Sequence, residues 1–242
     1  MIKKLKKIMS VIKQVRKLDK KTLTFYFCDK NDINYQTYKY FNKRHPKFLI
    51  IRNKTIGACI LEKPATIEEY TTGKLKQILR TNSNKAKKLG YYFDSFDIND
   101  KKIQDEIMKI NFSGDSCRQG REISSTYLNL DNVISEARDK KLCGVFNKDG
   151  ELKAYLYLIE AGDFIVVSRI LGDADANNDG IMYFMILSLV KEWLNNEEFF
   201  KYNPNCLFYD TWFGAKEGLK EFKKRLGFIP YRVKYKIRKG EE

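Results

Sequence analysis

The sequence predicts an α/β protein whose mixed, mostly antiparallel central sheet is flanked by helices. The first observation is order: from residue 142 onward, β-rich and helical stretches follow one another as β-β-β-α-β-α-β. Helices that alternate with strands after a meander are typical of a mixed sheet covered by helices. The second is composition, because 242 residues with 43% hydrophobic content are sufficient to bury a core.

The first third of the chain predicts a basic helix, a strand, a hairpin and another helix. Apolar residues recur at three- and four-residue spacing between lysines in residues 1–21, which indicates an amphipathic helix. Such a helix packs on its own protein or lies on an anionic membrane surface. Residues 21–28 favour a strand, and residues 47–63 favour a hairpin around a central Asn-Lys pair. A helix over residues 74–89 would expose a basic stripe.

The rest of the chain predicts the elements of a single sheet with its helices. In order they are a strand (91–97), a helix (99–111), an irregular stretch (112–130), a short helix (131–141), strands (142–147, 151–162, 163–172), a helix (181–195), a strand (206–214), a helix (217–227) and a strand (228–238). The order in the C-terminal two-thirds is therefore β-α-α-β-β-β-α-β-α-β. We expect a main domain over residues 91–242, with residues 1–90 as an extension that packs on it or completes it.

Charge and cysteine usage narrow the class of protein. The formal net charge is +15, from 46 Lys and Arg against 31 Asp and Glu, which favours RNA, anionic lipid or a phosphate-rich cofactor as partner. A lysine-rich solvated surface would give the same balance. Five scattered cysteines without a CxxC predict reduced thiols in a cytoplasmic protein. The single histidine, His45, has no Cys or His close by, so neither a metal centre nor a Ser-His-Asp triad is expected around it.

Residues 175–180, Asp-Ala-Asn-Asn-Asp-Gly, match the first half of a calcium-binding loop. A calcium loop needs a carboxylate at its twelfth position, and that position holds Ile186. We therefore expect no metal. The alternative is a helix entered through Gly180, whose first N–H groups can bind a phosphate. Simple helix capping by the acidic residues remains open, and their charge would repel an anion.

The second half of the chain combines three meandering strands, a helix entered through Gly180, a strand, the helix "GLKEFKKRLGF" (218–228) and a final strand. In this combination it resembles the GCN5-related N-acetyltransferase (GNAT) superfamily. The pairing of "YDTWFG" (209–214) with that helix is similar to the Fem-type branch, whose members transfer aminoacyl groups from tRNA. The resemblance covers roughly residues 85–238. The acetyl-CoA signature of the superfamily, with its two small residues, is replaced by "DADANNDGI", which has one glycine.

The resemblance implies a donor site where two neighbouring strands separate. Ser168, Arg169 and Ile170 would lie along the acyl donor, and a backbone N–H there would stabilise the oxyanion. The phosphates of the donor would lie near Gly180. Lys223 would hold a phosphate or a developing negative charge.

Tyr209 and Asp210 are the catalytic residues that the resemblance implies. Tyr209 would protonate the leaving group, and Asp210 would deprotonate the acceptor amine. The alternatives are that Tyr209 is a core aromatic and that Asp210 caps a helix or forms an ion pair.

"CRQGRE" (117–122) places two arginines in an irregular region, and paired guanidinium groups suit phosphate or carboxylate. Loops after the first helices form the acceptor wall in this fold. The predicted acceptor-binding residues are Arg118, Gln119, Arg121 and Tyr127. Salt bridges from the arginines to the acidic loop at 173–179 are the alternative.

These residues predict an N-acyltransferase in which an amine attacks a thioester or an aminoacyl ester directly, without a metal. The donor is acyl-CoA, such as acetyl-CoA, or aminoacyl-tRNA. The rival interpretation is a non-catalytic RNA-binding or membrane-surface protein on a degenerate GNAT fold, with aromatic residues between lysines stacking on bases.

Overall fold

The computed structural model describes residues 11–46, 51–114, 117–118, 121–122 and 124–240, with the backbone alone for 117–118 and 121–122. The strands are β1 (Lys20–Phe27), β2 (Ile56–Glu62), β3 (Tyr92–Ser95), β4 (Cys117–Arg118), β5 (Arg121–Glu122), β6 (Lys141–Phe146), β7 (Leu152–Glu160), β8 (Phe164–Gly172), β9 (Cys206–Thr211) and β10 (Ile229–Lys239). The helices are α1 (Ile33–Asn42), α2 (Ile67–Thr71), α3 (Gln77–Lys88), α4 (Lys101–Phe112), α5 (Leu130–Ala137), α6 (Ile181–Asn195) and α7 (Glu217–Leu226). Residues 11–16 are also helical.

Eight strands form one sheet in the order β1-β10-β2-β9-β8-β7-β6-β3. The pairs β1/β10 and β8/β9 are parallel, and the other pairs are antiparallel. The predicted fold class, a mixed and mostly antiparallel sheet flanked by helices, is therefore confirmed. The two N-terminal strands β1 and β2 belong to the same sheet as the C-terminal strands.

Helices cover both faces of the sheet. The face that we call the helix α6 face packs α6 against β6 to β9, with α3 and α7 beside it. The opposite face, here the cavity face, carries α1 over β1, β9 and β10 and carries α4 and α5 over β6 and β7. The two groups of helices on the cavity face leave a gap above β8 and β9.

The first strand closes one end of this arrangement. Phe25 of β1 bridges Gly162 in the turn between β7 and β8, and Tyr26 donates its N–H to Ala161 O at 2.8 Å. The N–H of Thr24 donates to Asp163 Oδ1 at 2.8 Å. The sheet therefore curls until β1 reaches β8 around an aromatic core.

The expected hairpin at 47–63 is wrong, because β2 pairs with β9 and β10 instead of with the segment before it. The interior of β2 is buried throughout, as is usual for a central strand, so both its edges need neighbours. Arg52 forms only an isolated bridge with Arg44, and residues 47–50 lie outside the described part of the chain.

Helix α1 was not predicted from the sequence. Asp32 begins it by accepting the N–H of Asn34 at 2.7 Å. Phe41 of α1 is buried in an aromatic cluster with Phe25 and Phe208, whereas Tyr40 is exposed. The aromatic residues between lysines in this segment thus include core residues as well as exposed rings.

Candidate functional site

The parallel strands β8 and β9 separate after three residue pairs. Phe164, Ile165 and Val166 pair with Cys206, Leu207 and Phe208, and no further pairs form, although β8 continues to Gly172 and β9 to Thr211. A cavity of about 680 Å³ opens at this separation. Its lining comes from α1, β7, β8, β9 and the 3-10 turn Ser125–Leu128, together with Lys54 and Ser124. The predicted separation of the two strands is therefore present, and we call the gap between them the wedge.

A β-bulge in β8, where the strands separate, changes the face of the sheet on which the following side chains lie. Tyr157 of β7 pairs with Arg169, and Leu158 pairs with Val167, so Ser168 has no opposite residue. The extra residue reverses the alternation of side chains beyond it. Without the bulge Arg169 would share the helix α6 face with Val167, whereas its side chain lies on the cavity face beside Tyr157. The Ser168 hydroxyl donates to Tyr157 O at 3.0 Å.

The Arg169 side chain is a buried cation on the cavity wall. Only 3% of the residue is exposed, and its Nη2 donates to Glu136 of α5. Its guanidinium carbon lies 3.8 Å from the ring centroid of Tyr127, which also lines the cavity. Its Nε and Nη1 atoms have no hydrogen-bond partner among the described residues. A buried guanidinium with unused donors is costly unless a bound group or water accepts from it.

Asp210 and Lys54, which also line the cavity, form an ion pair. Lys54 Nζ lies 2.5 Å from Asp210 Oδ1. Both residues have left-handed backbones, with φ of 54° at Lys54 and 50° at Asp210. Such conformations are strained in residues other than glycine and are concentrated at functional sites. Sequence reasoning missed Lys54, because only the pairing of β2 with β9 brings it to Asp210.

The charge state of Asp210 follows from its neighbours. Burial raises its pKa, but the ammonium and hydrogen bond of Lys54, with a contribution from Lys223, hold that pKa below the ordinary value of 3.8. Asp210 is therefore a carboxylate at neutral pH.

Tyr209 borders the wedge from the helix α6 face. Tyr209 is 6% exposed, and its ring packs edge-on against that of Phe228, with the ring centroids 5.7 Å apart. Lys223 Nζ lies 4.6 Å from the centre of the ring. Tyr209 is thus both a lining residue of the cavity and part of the core.

Lys223 is fully buried between α7 and the sheet. Its Nζ donates to Thr211 O at 3.0 Å and contacts Cys59 Sγ at 3.6 Å. Burial lowers the pKa of this lysine, and the nearby Cys59 and Asp210 oppose the shift. The lining of the cavity does not include Lys223, so in this structure the ammonium is bound to the end of β9.

Gly180 begins α6 with a left-handed backbone, φ 83°, and is buried against α3. A Cβ at this position would lie 2.4 Å from Asn82 O, so close helix packing accounts for the glycine. Asp179 beside it accepts the Tyr91 hydroxyl at 2.8 Å and lies 3.6 Å from Lys85 Nζ. Gly180 is not part of the cavity lining.

The remaining predicted residues divide between the cavity and undescribed positions. Tyr127 and the backbone around Ile170 line the cavity, while the side chain of Ile170 joins the core on the helix α6 face. The backbones of Arg118 and Arg121 pair in β4–β5. The side chains of these two arginines, and the whole of Gln119, lie outside the described residues.

Two further properties concern metals and membranes. Within the described ranges, no group of three or more His, Cys, Asp or Glu side chains is arranged to hold a metal ion. Among the helices of those same ranges, none combines the length and the apolar character needed to cross a bilayer. Residues 1–10 of the predicted basic helix are not described.

The open sheet, with its parallel pair separated at a bulge, is a GNAT-like fold. No family model and no curated protein matches the sequence. Among solved structures, FemX aligns with a TM-score of 0.52 at 13% identity over 72% of this chain and 59% of FemX. A conserved protein of unknown function from Bacteroides thetaiotaomicron aligns with a TM-score of 0.52 at 16% identity, over 74% of this chain and 58% of that chain.

A third solved structure, L-PGS from Bacillus licheniformis, aligns with a TM-score of 0.49 at 14% identity, over 74% of this chain and 60% of that one. The present chain thus spans about three-fifths of the length of each of these structures. At such identities the likeness concerns the fold.

Proposed function

We propose that the protein is an N-acyltransferase, which passes an acyl or aminoacyl group from acyl-CoA or aminoacyl-tRNA to an amine by direct attack. The observation that carries the proposal is the separation of β8 from β9 beyond Val166 and Phe208, with a cavity at the opening whose mixed lining includes Asp210 and Lys54. A planar activated carbonyl fits between two strands that no longer pair. The cavity volume is in the range of small-molecule sites.

In the proposed reaction the amine lone pair attacks the carbonyl carbon of the donor. Asp210 accepts the proton that the attacking nitrogen loses, which requires the carboxylate form that its lowered pKa provides. A backbone N–H at the Ser168 bulge stabilises the oxyanion, and one such donor is typically worth about 3 kcal/mol. The intermediate collapses by expelling the thiolate of CoA or the ribose oxygen of tRNA, which takes a proton from Tyr209.

Residues 1–90 would then complete the main domain, residues 91–242, instead of forming an independent unit. They contribute α1 and Lys54 to the cavity wall. We therefore propose that a chain without this extension lacks one side of the site. The free cysteines described in this chain suit the cytoplasm, where we place the reaction.

Two observations favour aminoacyl-tRNA as donor. At the start of α6, where the superfamily holds the CoA pyrophosphate, Gly180 packs against Asn82 and is followed in space by the acidic Asp179, which accepts the Tyr91 hydroxyl. Helices α3 and α7 contact each other, and exposed lysines on them and just before their first turns can bind an RNA backbone. These exposed lysines are Lys74, Lys85, Lys87, Lys88, Lys216 and Lys224.

The test measures acyl transfer to a panel of amines from acyl-CoAs and from a mixture of aminoacyl-tRNAs, in parallel and at several salt concentrations. We expect transfer from aminoacyl-tRNA, with a KM that rises steeply with salt because phosphate contacts release counterions. Transfer from acyl-CoA alone would retain the enzyme class and reverse the choice of donor. A protein that binds tRNA but transfers nothing would support the non-catalytic alternative.

A further inference from the structure

Lys54, which lines the cavity, stands in a turn with an unfavourable backbone. Its φ of 54° is left-handed, a conformation that costs free energy in any residue with a Cβ. Two backbone hydrogen bonds brace the turn: the Asn53 N–H donates to Lys43 O at 2.7 Å, and the Val233 N–H donates to Thr55 O at 2.8 Å. These bonds hold the residues on either side of Lys54.

Tyr235 of β10 holds the carbonyl of Lys54 itself. Its hydroxyl donates to Lys54 O at 2.9 Å. The tyrosine is 5% exposed, and its ring packs against those of Phe41 and Phe25, with centroids 5.1 Å and 5.8 Å away. Burial raises the pKa of Tyr235 well above its ordinary value of 10.0, so the hydroxyl keeps its proton at physiological pH. Tyr235 is therefore a hydrogen-bond donor at a fixed position.

This hydrogen bond connects the core to the ion pair at the cavity. It fixes the peptide plane that follows Lys54, and with it the left-handed backbone from which the lysine side chain extends to Asp210 Oδ1, 2.5 Å from Nζ. The net free energy of one buried hydrogen bond is of the same order as the cost of a left-handed residue, so the bond is strong enough to maintain that backbone. Tyr235 does not line the cavity, and it contacts the site through Lys54.

The charged and titratable groups that act on Asp210 come from three parts of the chain. Lys54 precedes β2, Cys59 belongs to β2, and Lys223 lies on α7. Lys54 donates a hydrogen bond directly to the carboxylate, whereas Lys223 donates to Thr211 O. Burial raises the pKa of Cys59 to about 11, so this thiol is neutral at physiological pH. A displacement of Lys54 should therefore change the charge state of Asp210 more than a change at either other group.

We propose that Tyr235 is a positioning residue, whose hydroxyl keeps the Lys54 ammonium on Asp210 and thereby keeps Asp210 ionised. The assignment rests on the proposed role of Asp210 as the base, but the charge state of this carboxylate can be measured without any substrate. Tyr235 affects the rate through the unprotonated fraction of Asp210, because it is not a lining residue that a substrate would touch.

The test follows the carboxyl carbon of Asp210 by NMR through an acid titration, with Asp210→Asn to assign the signal. Tyr235→Phe removes only the hydroxyl, so we expect the midpoint to move to higher pH, in the same direction as in Lys54→Met. In the Lys54→Met background, Tyr235→Phe should add no further shift, since residues that act through one contact are not additive. The acid limb of kcat/KM for acyl transfer should move with the midpoint.

Tyr70→Phe is the matched control. Tyr70 is 4% exposed, and its hydroxyl also donates to a backbone carbonyl, Leu226 O, at 2.9 Å. Neither Tyr70 nor Leu226 lines the cavity. The control loses a hydrogen bond of the same kind and should lose stability as Tyr235→Phe does, but its Asp210 midpoint should equal that of the unmodified protein.

A second measurement needs no variant of Tyr235, and it applies if Tyr235→Phe fails to fold. Linkage is reciprocal: if the bond between Tyr235 and Lys54 favours the ionised carboxylate, protonation of Asp210 weakens that bond. The ring carbon that bears the Tyr235 hydroxyl should therefore shift in the unmodified protein with the same midpoint as the Asp210 carboxyl carbon.

Several results would overturn the assignment: the midpoint in Tyr235→Phe equals that of the unmodified protein, the shift persists in the Lys54→Met background, Tyr70→Phe gives an equal shift, or the Tyr235 ring carbon does not respond while Asp210 titrates. Activity separates this proposal from the preceding one. The expected midpoints without transfer from any donor retain the positioning role and refute the transferase. Transfer with the same acid limb in Tyr235→Phe and the unmodified protein refutes the positioning role and leaves the transferase intact.

Discussion

The two halves of the β8–β9 pair differ in pairing, polarity and backbone conformation. In the paired half, from Phe164 to Val166 and from Cys206 to Phe208, all six residues are apolar and at most 4% exposed. In the separated half, Ser168, Arg169 and Asp210 bring polar groups, a bulge and a left-handed backbone. The comparison teaches that the strands pair where every residue is apolar, and that they are apart where polar residues stand among apolar ones such as Val167 and Ile170.

A division of labour follows from this difference. Burial of apolar surface in the paired half should contribute mainly to stability. The separated half, with strained and charged residues around a cavity, should contribute mainly to binding and chemistry. Substitutions in the two halves should therefore have separable effects.

The largest expected effect is on stability, at Phe164 in the paired half. The ring is fully buried, with its centroid 4.9 Å from that of Phe25. Phe164→Ala should lower the free energy of unfolding by about 3–5 kcal/mol, because it leaves a cavity in a packed core. Urea unfolding measures the loss. The transfer rate per folded molecule should stay within about twofold; a large fall in that rate without destabilisation would break the comparison.

The next effect is on catalysis, at Asp210 in the separated half. Asp210→Asn removes the proposed base and should lower kcat/KM for acyl transfer by about a hundredfold or more. The melting temperature should change little, because the Asp210 side chain is 37% exposed and an amide can still accept from Lys54. The matched control is Asp163→Asn, at the other end of the pair, where Oδ1 accepts the Thr24 N–H. If both variants transfer equally well, Asp210 is not the base.

Two tyrosines of β7, the strand next to β8, allow a further comparison, because one hydroxyl is hydrogen-bonded and, within the described part of the chain, the other is not. The Tyr155 hydroxyl donates to Asn111 Oδ1 at 2.6 Å, whereas the Tyr157 hydroxyl, also buried, has no partner among the described residues. Tyr155→Phe should cost about 1–3 kcal/mol, because Asn111 is left unsatisfied in the core. Tyr157→Phe should change the free energy of unfolding by less than about 0.5 kcal/mol. Equal costs by thermal or chemical unfolding would show that both hydroxyls are bound.

The smallest expected effect is a change of pH dependence at Lys54. Its ammonium lowers the pKa of Asp210, so Lys54→Met leaves burial to raise that pKa. A base must be unprotonated, and the rate falls as pH drops through its pKa; the acid limb of kcat/KM should therefore move to higher pH. At neutral pH the rate should fall no more than about fivefold, as a partly exposed ion pair contributes about 1 kcal/mol or less.

Lys21→Met is the control for this pH shift. It removes a comparable ion pair, Lys21 with Glu62 at 2.6 Å, whose residues do not line the cavity. Its acid limb should coincide with that of the unmodified protein. A shift in Lys21→Met as large as that in Lys54→Met would point to a general effect of charge.

The sequence predicted the C-terminal half of the sheet well because its elements are locally consistent. Helix α6 occupies residues 181–195 as expected, and the order of strands and helices after residue 142 is correct. The hairpin at 47–63 failed because β2 takes both of its neighbours from distant sequence, so local β-propensity could not reveal them. Helix α1 was not predicted, because the apolar and aromatic residues of its sequence do not recur at a clear helical spacing.

The candidate site was predicted only in part, because some of its contacts join segments that are distant in sequence. Ser168, Arg169, Tyr127 and Asp210 meet at one cavity, and family resemblance had selected each of them. Lys54 carried no local signal, since a lysine in a presumed turn is ordinary, and its contact with Asp210 exists only across the sheet.

The parallel pairing of β1 with β10 joins an early and a late part of the chain during synthesis. Lys20 to Phe27 find their parallel neighbours at Arg232 to Lys239, so the first strand emerges from the ribosome long before its neighbour is translated. Contacts this distant in sequence slow folding and leave an unpaired edge in the nascent chain. Completion of the sheet, and of the cavity wall that α1 and Lys54 supply, must therefore wait until β10 has been synthesised.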